Sequence, residues 1–177
     1  MAVLDPIKLF IDNYPEDQVE YLDAQVNMEN PELGVKKIPF GKELWIERED
    51  FMEEPPKKYF RLFPGNEVRL MNAYFVKCVG YEKDENGKVT VVHCTYDPIT
   101  KNRTGFTGRK VKGTIHWVPV NQAKKVTVRL YENLVDEEKG VYNEDGSVNL
   151  NPNSLTVVEE CYIEPSIEAA QPGDAFH

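Results

Sequence analysis

Short segments in which apolar and polar residues alternate are the feature that most constrains how this chain can fold. The longest spans residues 67–83 and alternates through Val68, Leu70, Asn72 and onward. A turn containing Asn86-Gly87 follows, and residues 89–96 alternate again. A period of two places one row of side chains on each face of a strand, and Asn-Gly is a strong hairpin signal. The sequence therefore predicts two long antiparallel strands here.

Other parts of the chain carry weaker versions of the same pattern. Further strands are predicted at residues 7–11, 43–47, 59–63, 108–118, 124–131 and 154–163. We expect Trp45 in the core, irregular or edge structure at 15–31, a turn at Asp145-Gly146 and one helical turn at 165–170. Many short strands, few helices and frequent turn signals predict an all-β protein built from barrels.

Composition limits the class of protein. The 177 residues are 41% hydrophobic and 29% charged, which suits one domain or two small ones with a packed core. No apolar run approaches the roughly 20 residues that span a membrane, and the first residues do not resemble a signal peptide. Three cysteines are a sparse, odd number, which predicts a reduced cytoplasmic protein. Cys78 and Cys94 could face each other across the hairpin, although two buried thiols are favoured.

A basic island interrupts an acidic chain. The net charge is −9, yet residues 101–125 contain seven Lys or Arg and no acid. Lys110 and Lys112 alternate there with Val111 and Gly113, which predicts a strand with one basic face. Such an island is typical of a surface that contacts a polyanion, and the alternative is a solvated strand face without a partner.

A second basic region carries aromatic residues. Its cations are Lys57, Lys58, Arg61, Arg69 and Lys77, and its aromatic residues include Tyr59, Phe60, Phe63 and Tyr74. Glu67 is the one acid between residues 57 and 79. Cations beside aromatic rings suit unpaired RNA bases, with stacking contributing about 1–3 kcal/mol per base. The alternative is that half of these rings fill the core, and for Tyr74 and Phe75 we expect that outcome.

Catalytic patterns are absent from the sequence. The three cysteines and three histidines lack the spacing of a zinc site, and no glycine-rich phosphate loop occurs. None of the three serines lies in a nucleophile elbow. We therefore expect no catalytic residue, no metal and no cofactor in this chain alone.

Four stretches together resemble a known family. Gly-Arg-Lys-Val-Lys-Gly-Thr-Ile-His-Trp-Val at 108–118 is similar to the segment of glutaminyl-tRNA synthetases that follows their catalytic domain. The others are Met-Ala-Val-Leu-Asp-Pro-Ile-Lys-Leu at 1–9, Lys-Tyr-Phe-Arg-Leu at 58–62 with Glu-Val-Arg-Leu-Met-Asn-Ala-Tyr at 67–74, and Glu-Pro-Ser at 164–166. This resemblance implies two six-stranded β-barrels like those of a ribosomal protein that binds 5S RNA. We expect the first at residues 1–114 and the second at 115–177, truncated at its C-terminal end and able to include the opening strand.

The resemblance also implies a function. Such an enzyme joins glutamine to tRNA(Gln) with ATP and Mg²⁺ in a catalytic domain of the same polypeptide. The part matched here binds the anticodon stem-loop, without a cofactor of its own and with neither DNA nor a membrane as partner. The resemblance implies that both Met1 and His177 correspond to internal positions of the family's proteins, so we expect an excised fragment, and the missing catalytic motifs predict no catalysis by this chain alone. Alternatives are the same region of a glutamyl-tRNA synthetase, a stand-alone RNA-binding module, and a non-RNA interaction domain.

Individual roles follow from the resemblance. Arg61 matches an arginine that contacts the third anticodon base, and Arg69 one that contacts the first base or its phosphate. Met71 is a departure, since bacterial members carry a second arginine there. The remaining candidates for tRNA binding are Lys57, Lys58, Tyr59, Arg109, Lys110 and Lys112. The last three are assigned either to phosphates or to the rest of the enzyme.

Overall fold

Strands dominate the fold. The computed structural model describes residues 1–27, 30–102, 104–135 and 138–173. Within these residues the strands are β1 (Ala2–Val3), β2 (Pro6–Ile11), β3 (Glu20–Gln25), β4 (Val35–Phe40), β5 (Glu43–Glu47), β6 (Glu67–Leu70), β7 (Phe75–Lys83), β8 (Val89–Asp97), β9 (Thr114–Ile115), β10 (Val118–Pro119), β11 (Lys124–Tyr131) and β12 (Leu155–Ile163). The helical segments in the same residues are short 3-10 turns at Pro31–Leu33, Arg48–Asp50, Pro98–Thr100 and Pro165–Ala169. The all-β prediction is confirmed.

The largest sheet has seven strands and curls into a half-barrel. Its order is β10-β5-β2-β8-β7-β6-β9, in which β2 runs parallel to β8 and β6 runs parallel to β9. Alternate residues of β2, namely Ile7, Leu9 and Ile11, are buried as the period of two predicts. They join one hydrophobic core with inward-facing residues of β5, β6, β7, β8 and β9.

The tryptophan at the centre of this core is Trp117. It is fully buried, its ring meets Phe40 edge to face at 5.2 Å, and its Nε1–H donates to the Met71 carbonyl at 3.0 Å. The expectation for Trp45 was wrong, because β5 turns its even-numbered residues inward and leaves Trp45 partly exposed on the other face. There Trp45 stacks on Tyr162 of β12 with ring centroids 4.8 Å apart.

Two smaller sheets complete the described structure. A three-stranded antiparallel sheet has the order β1-β12-β11, so the opening residues join the last strands of the chain. An edge ribbon of β3 and β4 occupies part of the segment for which irregular or edge structure is expected. The short strands β9 and β10 hydrogen-bond into the seven-stranded sheet, which therefore extends through Pro119. A division at residue 114 into two six-stranded barrels stays a prediction.

The long hairpin is confirmed at residues 75–97 but not before them. β7 and β8 pair in antiparallel register around a turn in which Gly87 has φ 77°. The single strand predicted for residues 67–83 is instead β6 and β7, joined by a tight turn. Asn72 occupies the left-handed region there with φ 59°, a conformation that asparagine tolerates better than most residues. The Leu70 amide closes the turn by donating to the Tyr74 carbonyl at 2.9 Å.

Two other predicted strands are wrong. Residues 59–63 form a bend with one isolated parallel bridge between Leu62 and Phe51. Of residues 108–118, only β9 and β10 are extended in a sheet, and 108–113 are irregular. The alternating apolar positions of that segment are Val111, Gly113 and Ile115, and Gly113 has no side chain, so few apolar contacts favour a continuous strand.

His93 of β8 links β7 to the residue that follows β2. His93 lies on β8, with Nδ1 2.8 Å from Asp12 Oδ1 and Nε2 3.0 Å from Glu82 Oε1. The hydrogen bond to Asp12 raises the pKa of His93 despite partial burial, and Glu82 adds to the effect. The charged imidazole is therefore favoured in the folded protein.

The cysteines are free thiols. Cys78 and Cys94 are opposite each other on β7 and β8, and both are buried, as is Cys161. Cys78 and Cys94 therefore face each other across the hairpin, and they are also the two buried thiols that the sequence favours. No helix among the described residues is long and apolar enough to cross a membrane.

Candidate nucleic-acid interface

The two basic regions of the sequence meet at one edge of the large sheet. β6 and β9 pair in parallel with Arg69 opposite Thr114, and the Arg69 amide donates to the Gly113 carbonyl at 2.9 Å. The loop at residues 57–61 packs on the same place, because the Phe60 carbonyl oxygen would lie 1.8 Å from a Cβ at position 113. Only glycine permits this approach, so the loop at residues 57–61 and the segment that contains Gly113 form one surface.

Arg69 lies against an aromatic ring at this edge. Its guanidinium carbon is 4.3 Å from the centroid of Phe75, which is buried as expected. Its one polar contact among the described residues is a long hydrogen bond from Nη1 to the Ala73 carbonyl at 3.5 Å. Burial lowers the pKa of Arg69, and no carboxylate in the described chain pairs with it. Most of its N–H donors are therefore available to a ligand.

A cavity of about 220 Å³ opens beside Arg69. Its lining residues are Arg69, Phe75, Phe106, Thr107, Gly108, Arg109, Lys110, Val111 and Thr114. The Phe106 ring meets Phe75 edge to face at 5.8 Å. The cavity thus combines aromatic walls with cationic side chains, a combination that suits a nucleobase and its phosphate.

Arg109 is neutralised within the protein. Its Nε and Nη2 groups donate to the two carboxylate oxygens of Glu67 at 2.8 and 2.6 Å, and Nη2 also reaches Asp97 at 2.8 Å. These two carboxylates raise its pKa. The contacts tie the irregular segment 104–113 to β6 and to the end of β8. They favour an anchoring role for Arg109 over the predicted contact with phosphate.

Arg61 also has acidic partners, but of a different kind. Its Nη1 group pairs with the buried Asp50 and with Glu49 Oε1 at 3.3 Å, while the side chain stays 45% exposed. Burial alone would lower the pKa of Arg61, and the charge of Asp50 raises it overall. Tyr59 is held nearby, since its hydroxyl donates to the Glu49 carbonyl at 2.9 Å and burial raises its pKa to about 12.

The lysines are exposed and carry unbalanced charge. Lys57, Lys58, Lys110 and Lys112 form no ion pair with any carboxylate of the described residues. Lys112 Nζ lies 5.0 Å from the ring centroid of Phe60, which is 46% exposed. Together with Arg69, these are five of the seven predicted cations. All five lie in the two basic regions of the sequence, which touch at Gly113, and none has a carboxylate partner among the described residues.

Sequence reasoning missed three features of this surface. It placed no role on Asp50, which lies in an acidic run where alternation carries no signal. It did not single out Phe106, a lone aromatic in a polar loop. It grouped Phe60 with the other rings, whereas this side chain is the exposed one and Tyr74 is buried. No group of three or more potential metal ligands occurs among the described residues.

Comparison with known proteins places these features in a family. A family model described as the anticodon-binding domain of class I tRNA synthetases (E and Q) matches residues 1–97, and a second of the same description matches 114–176. A glutamine–tRNA ligase of Clostridium perfringens is 54% identical over 180 residues, 99% of this chain and 32% of the relative. Glutamine–tRNA ligases of Clostridioides difficile and Cupriavidus taiwanensis are 51% and 50% identical over 99% of this chain and 32% and 30% of theirs. The chain thus spans about a third of the length of these relatives.

Proposed function

We propose that this chain, which belongs to the anticodon-binding domain family of the class I tRNA synthetases (E and Q), binds the anticodon stem-loop of tRNA(Gln) within a cytoplasmic glutamine–tRNA ligase. The catalytic domain of that enzyme would lie elsewhere in the same polypeptide and use ATP and Mg²⁺ to join glutamine to the tRNA. The part described here would supply recognition.

One observation carries the proposal. The two basic regions touch at Gly113 and carry five cations that have no carboxylate partner in the described chain, in a protein whose net charge is −9. Concentrated, unbalanced positive charge on an acidic protein attracts phosphate and displaces its counterions. The exposed ring of Phe60 beside Lys112 adds a surface on which an unstacked base can lie.

Base discrimination is assigned to the arginines of this surface. A guanidinium forms two parallel hydrogen bonds with a purine edge, which a lysine cannot do. A wrong base leaves those donors unpaired and costs about 1–3 kcal/mol. Arg61 would read the third anticodon base and Arg69 the first base or its phosphate. Lys57, Lys58, Lys110 and Lys112 would contact phosphates.

Binding of short RNA hairpins tests the proposal. One hairpin carries the glutamine anticodon, and the second differs in the third anticodon base. We expect the unmodified chain to prefer the first, and Arg61→Ala to reduce that preference by about fivefold or more. Arg129→Ala is the matched control, because Arg129 lies on β11 of the other sheet. Equal affinity of the unmodified chain for both hairpins would contradict the role of Arg61.

A further inference from the structure

Asp50 is a buried carboxylate with a single strong partner. It ends the 3-10 turn Arg48–Asp50, its side chain is 1% exposed, and Oδ1 accepts a hydrogen bond from Arg61 Nη1. Its other oxygen, Oδ2, has no hydrogen-bond partner among the described residues. Removing a carboxylate from water costs several kcal/mol unless a well-placed partner compensates. Burial raises the pKa of Asp50, and the charge and hydrogen bond of Arg61 oppose that rise, so the position of the guanidinium is coupled to Asp50.

The backbone fixes the distance between the two residues. The Leu62 amide donates to the Asp50 carbonyl at 2.9 Å, and the Met52 amide donates to the Leu62 carbonyl at 3.0 Å. These bonds form the isolated parallel bridge between Phe51 and Leu62. The residue after Asp50 is therefore held opposite the residue after Arg61. The ion pair does not depend on two freely moving loops.

The ion pair determines which edge of the guanidinium is available. Both carboxylate contacts of Arg61 use Nη1. Neither Nε nor Nη2 has a partner among the described residues. Nε–H and Nη2–H point in parallel from one edge of a guanidinium, which is the arrangement that matches two adjacent acceptors. With Nη1 held by a buried anion, this edge is the one left for a ligand.

We infer that Asp50 is a positioning residue that orients Arg61 so that its Nε–Nη2 edge reads an anticodon base. The inference rests on the proposed function, because it assigns a specific edge and a specific support to the arginine proposed to read the third base. Asp50 itself would contact no nucleotide. It acts by keeping the guanidinium at one orientation before RNA arrives, which reduces the ordering needed on binding.

The main test removes the charge of Asp50 while keeping its shape. For Asp50→Asn, we expect the preference for the cognate hairpin over the third-base variant to fall by about fivefold or more. Affinity for the third-base variant should change by less than about twofold, since that complex does not use the oriented edge. Glu54→Gln, which removes one exposed acid from the same region, is the control and should keep the full preference.

A double-mutant cycle separates positioning from general structural damage. If Asp50 acts through Arg61, Asp50→Asn should have no further effect on the preference in an Arg61→Ala background. Loss of preference by the same factor in both backgrounds would overturn the inference, as would unchanged preference in Asp50→Asn. If Arg61→Ala itself leaves the preference intact, the base-reading role is contradicted and the inference falls with it.

A second variant keeps the inference testable if Asp50→Asn folds poorly. Arg61→Lys retains a cation opposite Asp50 but lacks the two parallel donors. We expect it to keep the thermal stability of the unmodified chain within a few degrees and to lose the base preference as Arg61→Ala does. Retention of the preference by Arg61→Lys would show that charge, rather than the guanidinium edge, recognises the base.

Discussion

Substitution of Gly113 by alanine should separate the two halves of the proposed RNA surface. A Cβ at this position would lie 1.8 Å from the Phe60 carbonyl oxygen and 3.2 Å from Val68 Cγ1. The nearest atom belongs to the backbone, so no side-chain rotation relieves the overlap. The Gly113 carbonyl also accepts the Arg69 amide. The loop and β6 cannot both keep their present positions.

The size of the effect follows from this geometry. The Phe60 carbonyl must retreat by about 1.6 Å to reach an ordinary contact of 3.4 Å. Overpacking of this kind typically costs about 1–3 kcal/mol. The same shift moves Phe60 away from Lys112 and from Arg69. Because the Phe60 carbonyl is bonded to Arg61, the shift also disturbs the arginine proposed to read the third base, so binding of the cognate hairpin should weaken at least as much as binding of the third-base variant.

Two measurements check this prediction. Urea unfolding should show destabilisation of about 1–3 kcal/mol, and hairpin binding should weaken about fivefold or more for both RNAs. Gly80→Ala is the matched control, because a Cβ there meets nothing closer than 4.0 Å and should change neither quantity. Unchanged RNA affinity in Gly113→Ala, at a measured loss of stability, would refute the claim that the two segments act as one surface.

Three further predictions concern charge, pH and the core. Lys112→Ala should reduce the slope of log affinity against log salt by about one, whereas Arg129→Ala should leave it unchanged. Because the folded pKa of His93 is raised above its ordinary value, its stabilising contribution is full below that value and is lost as pH rises through the folded pKa. The difference in melting temperature between the unmodified chain and His93→Gln should therefore be larger at pH 5.5 than at pH 8.5. Trp117→Ala should cost about 3–5 kcal/mol in urea unfolding, and Trp45→Ala about 1–2 kcal/mol.

Alternation predicts strands correctly where one face is buried along the whole segment. β2 and β5 each place alternate residues in the core, and the paired strands β7 and β8 meet around a turn with the expected glycine. At residues 59–63 and 108–113 the same pattern is misleading. Their conformation depends on distant contacts, the carbonyl of Phe60 against Gly113 and the clamp on Arg109, and no local pattern contains this information.

The prediction that Trp45 lies in the core fails for a related reason. Both lie in short apolar segments, and the sequence offers no measure of which face of a strand turns inward. Within β5 the buried positions are Leu44 and Ile46, so Trp45 faces the three-stranded sheet. Trp117 lies between β9 and β10, within the segment 108–118 for which alternation predicts a continuous strand, and it packs edge to face against Phe40 of β4.

The sequence identifies the cations of the candidate site, but it does not show which of them are paired with carboxylates. Charge clustering and the family resemblance point to all seven. The structure then divides them, because Glu67 and Asp97 neutralise Arg109 and Asp50 holds Arg61. These carboxylates come from other parts of the chain, and only the folded arrangement brings them within reach. Five cations remain to attract phosphate.

Titration of the ¹⁵N-labelled chain with the cognate anticodon hairpin, followed through the backbone amide resonances, locates the RNA on the protein. If RNA binds where the two basic regions meet, the largest shifts fall within residues 57–62, 69–75 and 106–114, with β11 and β12 little affected. Shifts concentrated on β11 and β12, with those three segments unchanged, would contradict it.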